Sequence, residues 1–185
     1  RIEAEVDGKR VVVVSGDDGG GVYGPGMSKA GMVPRSDGTF ELRSYGSMTY
    51  ALLKCLLLAG VDAEDPRVQS AFAWIVDNFT LSENPGFSGA EDPEKAGQQG
   101  YYYYLYTVAR TLAEYERKLG KPLEIKDGEG KARNWRAELV GALLDRQRDD
   151  GWWVNDKAER WQEGAPVLAT SYAMMALGEA MGRFR

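Results

Sequence analysis

After Tyr45 the 185-residue chain alternates between two kinds of helical segment, and no other feature limits its fold as strongly. Residues 46–60 carry Met48, Tyr50, Leu52, Leu53, Cys55, Leu56, Leu57 and Leu58, with Lys54 the single charge. A helix apolar on nearly every side is expected to be buried on nearly every side, and Gly60 is placed to end it in the left-handed conformation. Residues 66–80 differ. Asp65-Pro66 offers an N-cap and a first-turn proline. Val68, Phe72, Ile75 and Phe79 then mark one face of a half-exposed amphipathic helix.

Residues 99–119 return to the first kind. Tyr101, Tyr104, Val108, Leu112, Tyr115 and Leu119 form one stripe, and Tyr102, Tyr106, Ala109 and Ala113 a second beside it. Residues 132–147 are amphipathic, with Trp135, Leu139 and Leu143 expected inside. Residues 166–182, with Val167, Leu168, Tyr172, Met174, Met175, Leu177 and Met181, read as buried again. Buried, amphipathic, buried, amphipathic, buried is the order of two concentric helix layers. Thr49-Tyr50-Ala51 recurs as Ser171-Tyr172-Ala173, with Tyr104 between them on the third greasy helix. Two helix pairs between these copies give a period of about 61 residues, the size of a repeat array or ring.

The first 44 residues are of another kind but part of the same domain. Ile2 to Val14 and Met32 to Leu42 hold β-formers around Asp7-Gly8 and Asp37-Gly38, which predicts two small hairpins. Gly16 to Gly26 between them is loop. This loop lacks the Gly-Lys-Ser/Thr of a phosphate-binding loop, and Asp17 and Asp18 would repel phosphate.

Composition removes most enzyme chemistry. The chain has no histidine, which excludes Ser-His-Asp and Cys-His catalysis and His-containing zinc sites. A single cysteine, Cys55, excludes an intrachain disulfide, and its place among leucines reads as a small core residue. A net charge of −5 argues against nucleic acid or an anionic membrane as the main partner. No apolar run approaches the roughly 18 residues that span a bilayer. Asp17, Asp18 and Asp37 offer oxygen ligands for calcium but match no loop spacing. No cofactor and no metal are expected, and no catalytic residue is assigned.

Gln147-Arg148-Asp149-Asp150-Gly151-Trp152-Trp153 follows the fourth helix. Gln147, Asp150, Gly151 and Trp153 resemble the QW motif of squalene and oxidosqualene cyclases, in which the glutamine caps a helix end and stacks on the tryptophan. Degenerate copies fall at Gly86-Phe87 and at Asp18 to Tyr23. Tyr45 to Ala51, Asp65-Pro66-Arg67-Val68, Asn84-Pro85-Gly86 and Gly97-Gln98-Gln99-Gly100 before the tyrosine run resemble the bacterial prenyltransferase/squalene-oxidase-repeat proteins. That resemblance spans roughly residues 16–182. It implies an all-α, α/α-toroid fold of inner and outer helices, with the N-terminal β-hairpins as decoration. About six helix pairs close such a ring, so residues 45–185 are expected to be a fragment of a longer toroid. The acid motif of the cyclases is missing at Ser44 to Ser47 and at Ala165 to Leu168. Asp62-Ala63-Glu64-Asp65 has similar letters but sits before an outer helix, where it reads as a cap. The zinc site of protein prenyltransferases needs a histidine.

Three functions remain open. A non-catalytic binding or scaffold module would hold an apolar or isoprenoid-like ligand in an aromatic-lined centre, with Tyr102, Tyr103, Tyr106, Trp152, Trp161 and Tyr172 as its contacts. Packing is the competing role for the tyrosines, and loop packing or repeat-stitching for the tryptophans. A cyclase- or prenyltransferase-like enzyme would have its acid or metal site outside this chain. A carbohydrate-binding or carbohydrate-active toroid would place an exposed tryptophan beside paired carboxylates from among Asp149, Asp150, Asp156 and Glu163. A second copy of the chain, or sequence missing from it, is the expected cover for the open apolar edge.

Overall fold

The computed structural model describes residues 1–6, 8–126 and 129–182. It corrects the all-α expectation. Over the described residues the fold is mixed α/β, about 44% helical and 13% strand, with a four-stranded sheet, a two-stranded sheet and six helices. Strands β1 (Ile2–Val6) and β2 (Lys9–Ser15) pair antiparallel, as do β3 (Met32–Pro34) and β4 (Phe40–Leu42). Asp7 of the first expected turn lies outside the described residues. At the second turn the Asp37 carboxylate accepts from both the backbone N–H and the hydroxyl of Thr39.

The two ribbons join because β2 pairs with β4 in parallel, giving the order β1-β2-β4-β3. A parallel pair needs a crossover connection, and the glycine-rich segment provides it. Asp18 pins this segment to the helices: its carboxylate accepts from Ser44 Oγ (2.9 Å) and from Trp74 Nε1 (3.0 Å). The sheet is therefore tied into the helical body and does not merely decorate it.

The helices are α1 (Gly46–Leu58), α2 (Pro66–Asp77), α3 (Pro93–Gln98), α4 (Tyr101–Leu119), α5 (Trp135–Leu144) and α6 (Pro166–Ala180). Between α4 and α5 a short ribbon, β5 (Ile125–Lys126) with β6 (Ala132–Arg133), interrupts the helical order. Helix α4 lies between α1 and α6, with α2 packed on α1 and α5 packed on α6. Asp65 caps α2 as its sequence implies, accepting from the Arg67 N–H, and Gly60 takes a positive φ after α1. Leu53, Ile75, Leu105, Leu112, Leu139 and Leu143 are fully buried in one continuous core.

Two of the three greasy helices are not buried on every side. On α1, Leu52, Leu58 and Cys55 are exposed, so Cys55 is not a core residue. On α6 and at its C-cap, Val167, Met174 and Met181 are 81%, 62% and 58% exposed, while Ala169, Ala173 and Ala176 are fully buried. Small side chains let helix backbones approach closely, so α6 packs through its alanines and leaves its larger residues outside. Hydropathy alone ranks methionine above alanine and points to the wrong face. The Tyr50–Tyr172 correspondence also fails to carry over. Tyr50 meets Tyr104 edge-on in the core (5.7 Å), whereas Tyr172 is half-buried against Tyr103 and Tyr106.

Candidate functional site

The first turns of α1 and α4 lack side-chain caps of their own, since Tyr45 and Gly100 occupy the cap positions. Both are capped from afar. Asn84 Oδ1 accepts from the Ser47 N–H (3.0 Å), and the Pro85 carbonyl accepts from Gly46 N–H (2.8 Å). Gly46 permits this approach, because a Cβ there would sit 2.6 Å from Pro85 Cδ. For α4 the cap is Glu163, whose carboxylate accepts from the Tyr103 N–H (2.8 Å), the Tyr102 N–H (3.2 Å) and Asn155 Nδ2 (2.9 Å). The side chain of Glu163 is 1% exposed. Burial raises its carboxyl above the usual range, and the donors from Tyr103, Asn155 and Tyr102 pull the other way.

Between these capped ends lies a cavity of about 360 Å³, lined by Tyr23, Lys29, Tyr45, Ser47, Met48, Gly100, Tyr103, Trp161, Glu163 and Tyr172. That volume falls within the range of small-molecule sites. Its walls are aromatic: Tyr103 meets Tyr172 edge-on at 5.7 Å, and Tyr106 stacks behind Tyr172 at 5.8 Å. Trp161 is 42% exposed at the rim. Lys29 Nζ lies 5.0 Å from the centre of the Tyr23 ring.

The rim is conformationally special. Trp161 (φ 58°) and Gln162 (φ 65°) both adopt the left-handed region, in a one-turn helix at Arg160–Gln162. Each non-glycine residue there costs about 1–2 kcal/mol, and such strain persists only where surroundings hold it. Gly100, also left-handed, makes room for the indole: a Cβ would meet Trp161 Cε3 at 2.9 Å. The tight Gly100–Trp161 contact and the Arg160 guanidinium, 4.8 Å from the Trp161 ring, hold the rim in place.

Burial raises the phenols of Tyr45, Tyr103 and Tyr172, with neighbouring tyrosines adding to the shift at Tyr45 and Tyr103 and Glu163 adding to it at Tyr172. Kept neutral, they exchange hydrogen bonds with a ligand but supply no base. Glu163 already spends its oxygens on the α4 cap. The arrangement is equipped to hold a molecule by ring faces and hydrogen bonds.

Of the sequence-derived candidates, the structure brings together Tyr103, Trp161 and Tyr172, with Tyr106 supporting Tyr172. Tyr102 lies apart: it is 1% exposed and donates to the Val154 carbonyl (3.3 Å). Tyr101 and Tyr104 are core residues, donating to the Leu81 (2.7 Å) and Thr80 (2.6 Å) carbonyls. Trp152 is outside the cavity, with Arg148 5.9 Å from its ring. In the QW-like loop, Gln147 Nε2 donates to the Gly151 carbonyl (2.9 Å), and Trp153 does the stitching. Its indole donates to the Leu143 carbonyl of α5 (2.8 Å), and its backbone N–H donates to Thr170 Oγ1 of α6 (3.0 Å). Asp150 is exposed. Asp156 pairs with Arg148, and among the described residues Glu163 is the one carboxylate lining the cavity with Trp161.

Sequence reasoning missed Tyr23, Lys29 and Tyr45 as cavity residues. Tyr23 and Lys29 belong to the crossover, whose path depends on the parallel β2–β4 pairing. Asp18 and Asp37 hold local backbone, and among the described residues no group of three or more acidic or cysteine side chains gathers to hold a metal. No described helix is long and apolar enough to cross a membrane. A wider groove of about 630 Å³ lies along Glu116, Arg136 and Glu179. On it Arg136 pairs with Glu116, Glu179 with Arg110, and Arg117 with Glu114. No protein-family model, curated protein or solved structure matches this chain.

Proposed function

We propose that the chain is a non-catalytic binding module whose tyrosine- and tryptophan-walled cavity holds an apolar small molecule. The observation that carries this reading is the convergence of Tyr103, Trp161 and Tyr172 on one cavity whose rim is held in a strained conformation. An isoprenoid-like occupant rests on the sequence resemblance alone. So does a place among the prenyltransferase/squalene-oxidase-repeat proteins.

Thermal unfolding with a panel of farnesol, naphthalene derivatives and short oligosaccharides tests the reading. A ligand at about a hundred times its Kd stabilises the fold by about 2.7 kcal/mol. Stabilisation by the apolar compounds, lost in Tyr103→Ala and Trp161→Ala, supports it. Stabilisation by oligosaccharides alone moves the assignment to carbohydrate. No stabilisation by any of them refutes it.

The expected self-association is kept as part of the same reading. The exposed Val167, Met174 and Met181 of α6 are the apolar surface a second copy would bury. Sedimentation that turns from monomer to dimer with concentration, and is held at monomer by Met174→Glu, supports it. A wild-type monomer at every concentration removes it.

A further inference from the structure

The charges around the cavity are unevenly spent. Glu163, the only carboxylate on its lining among the described residues, is turned to the N-terminus of α4 and to Asn155. At the start of α1 the Ser47 N–H is taken by Asn84 and the Gly46 N–H by the Pro85 carbonyl. Lys29 is different. It is half-buried on the lining, rests on the Tyr23 ring, and has no ion-pair partner among the described residues. Beside the rim, Arg160 also has no ion-pair partner among the described residues and donates to the neutral Gln99 side chain (2.7 Å). Its positive charge reaches the Tyr45 phenol inside the cavity.

An ammonium on the lining, with no carboxylate paired to it among the described residues, leaves a charge that a ligand can meet. The aromatic walls meet part of it through the ring face of Tyr23. A ligand anion would meet it better, since a charge-assisted hydrogen bond is about twice as strong as a neutral one. The cations are few: one amine on the lining and one guanidinium beyond it. That suits a single negative charge and not the clustered charge of a phosphate ester or diphosphate. Glu163 at the floor disfavours an anion placed deep, so the head must lie at the Lys29 side and the apolar body against Tyr103 and Tyr172.

We infer that the occupant is an apolar carboxylate, its flat or chain-like body lying on the tyrosines and its carboxylate paired with Lys29. The inference rests on the binding reading above. It adds the sign of the ligand's charge and the residue that selects it.

Isothermal titration with four probes of one shape tests it: 2-naphthoate, 2-naphthalenemethanol, 2-naphthylmethylamine and 2-naphthyl phosphate. The wild-type chain is expected to bind 2-naphthoate roughly 10–100-fold more tightly than the alcohol, the margin of a charge-assisted hydrogen bond. The amine should bind more weakly still. In Lys29→Met the acid's advantage falls to about twofold or less, and Lys29→Arg restores it. Unchanged thermal midpoints of both variants without ligand exclude misfolding as the cause. If the probes bind but the alcohol or amine equals the acid, or Lys29→Met keeps the preference, the carboxylate assignment falls while the binding reading stands. A phosphate that binds as tightly as the acid overturns the single-charge assignment. Absence of binding by all four overturns both.

Discussion

Removing the carboxylate of Glu163 tests the assembly of the site at one point. In Glu163→Ala the N–H groups of Tyr102 and Tyr103 lose their acceptor, and the Asn155 amide loses one of two, keeping the Gln98 carbonyl. Each buried donor left unpaired costs about 1–3 kcal/mol. The negative charge at the start of α4 contributes a further amount of about 0.3–1 kcal/mol. Water entering from the neighbouring cavity can re-pair part of what is lost, which holds the sum to the low end, about 3–5 kcal/mol. At this chain length each kcal/mol moves the midpoint by about 2–4 °C, so a fall of roughly 6–20 °C is expected. Urea unfolding gives the free energy, and amide hydrogen exchange gives the location. Tyr102 and Tyr103 should lose protection selectively, while Leu53 and Leu139 amides follow the global change. As a reference, Asp150→Ala, an exposed residue outside the site, should stay within about 0.5 kcal/mol of wild type. A loss under about 1 kcal/mol in Glu163→Ala, with protection at Tyr102 and Tyr103 intact, would refute the role of Glu163 as the α4 cap.

Two further substitutions test the rim and the core. Gly100→Ala places a Cβ 2.9 Å from the Trp161 indole at a residue with φ 65°, and should cost about 1–2 kcal/mol while changing the near-ultraviolet dichroism of the tryptophans; a stable variant with an unchanged spectrum would count against the rim geometry. Tyr50→Phe removes a buried hydroxyl that has no hydrogen-bond partner among the described residues, so chemical unfolding should register no loss and a gain of up to about 1 kcal/mol. Tyr104→Phe orphans the Thr80 carbonyl and should cost about 1 kcal/mol, and a reversed order between the two would contradict the hydrogen-bond assignment in the core.

Much of the helical body was legible locally. The Asp65 cap, the Pro66 start, the Asp37-Gly38 turn and the buried Trp135, Leu139 and Leu143 stripe of α5 stand as the residues imply. Each depends on residues a few positions apart, and a cap or an amphipathic period is complete within one or two turns. Reading the greasy helices as buried all round was less successful. Apolar content says that a helix has faces to bury, not how many neighbours will come. On α6 the alanines won the interface and Met174 was left outside. The tyrosine run divided along the same logic: Tyr101, Tyr102 and Tyr104 went to the core and Tyr103 to the cavity. Consecutive helical positions point about 100° apart, so one helix must send such a run to several places.

The sequence by itself determined where α1, α2 and α6 start, which N-terminal segments prefer strand, and which chemistries lack their residues, but not α3, the β5–β6 ribbon or the start of α5. The tertiary structure alone decided that two ribbons become one sheet through the parallel pairing of β2 with β4. It also decided that Glu163 caps a helix 60 residues upstream of it, and that Asp18 is held by a tryptophan 56 residues downstream. Tyr23, Lys29, Tyr103, Trp161 and Tyr172 share a cavity for the same reason. Contacts across such separations carry no local period. They exist only once the intervening elements have packed, because packing is what gives ordered groups the buried surface and paired hydrogen bonds that offset their lost freedom.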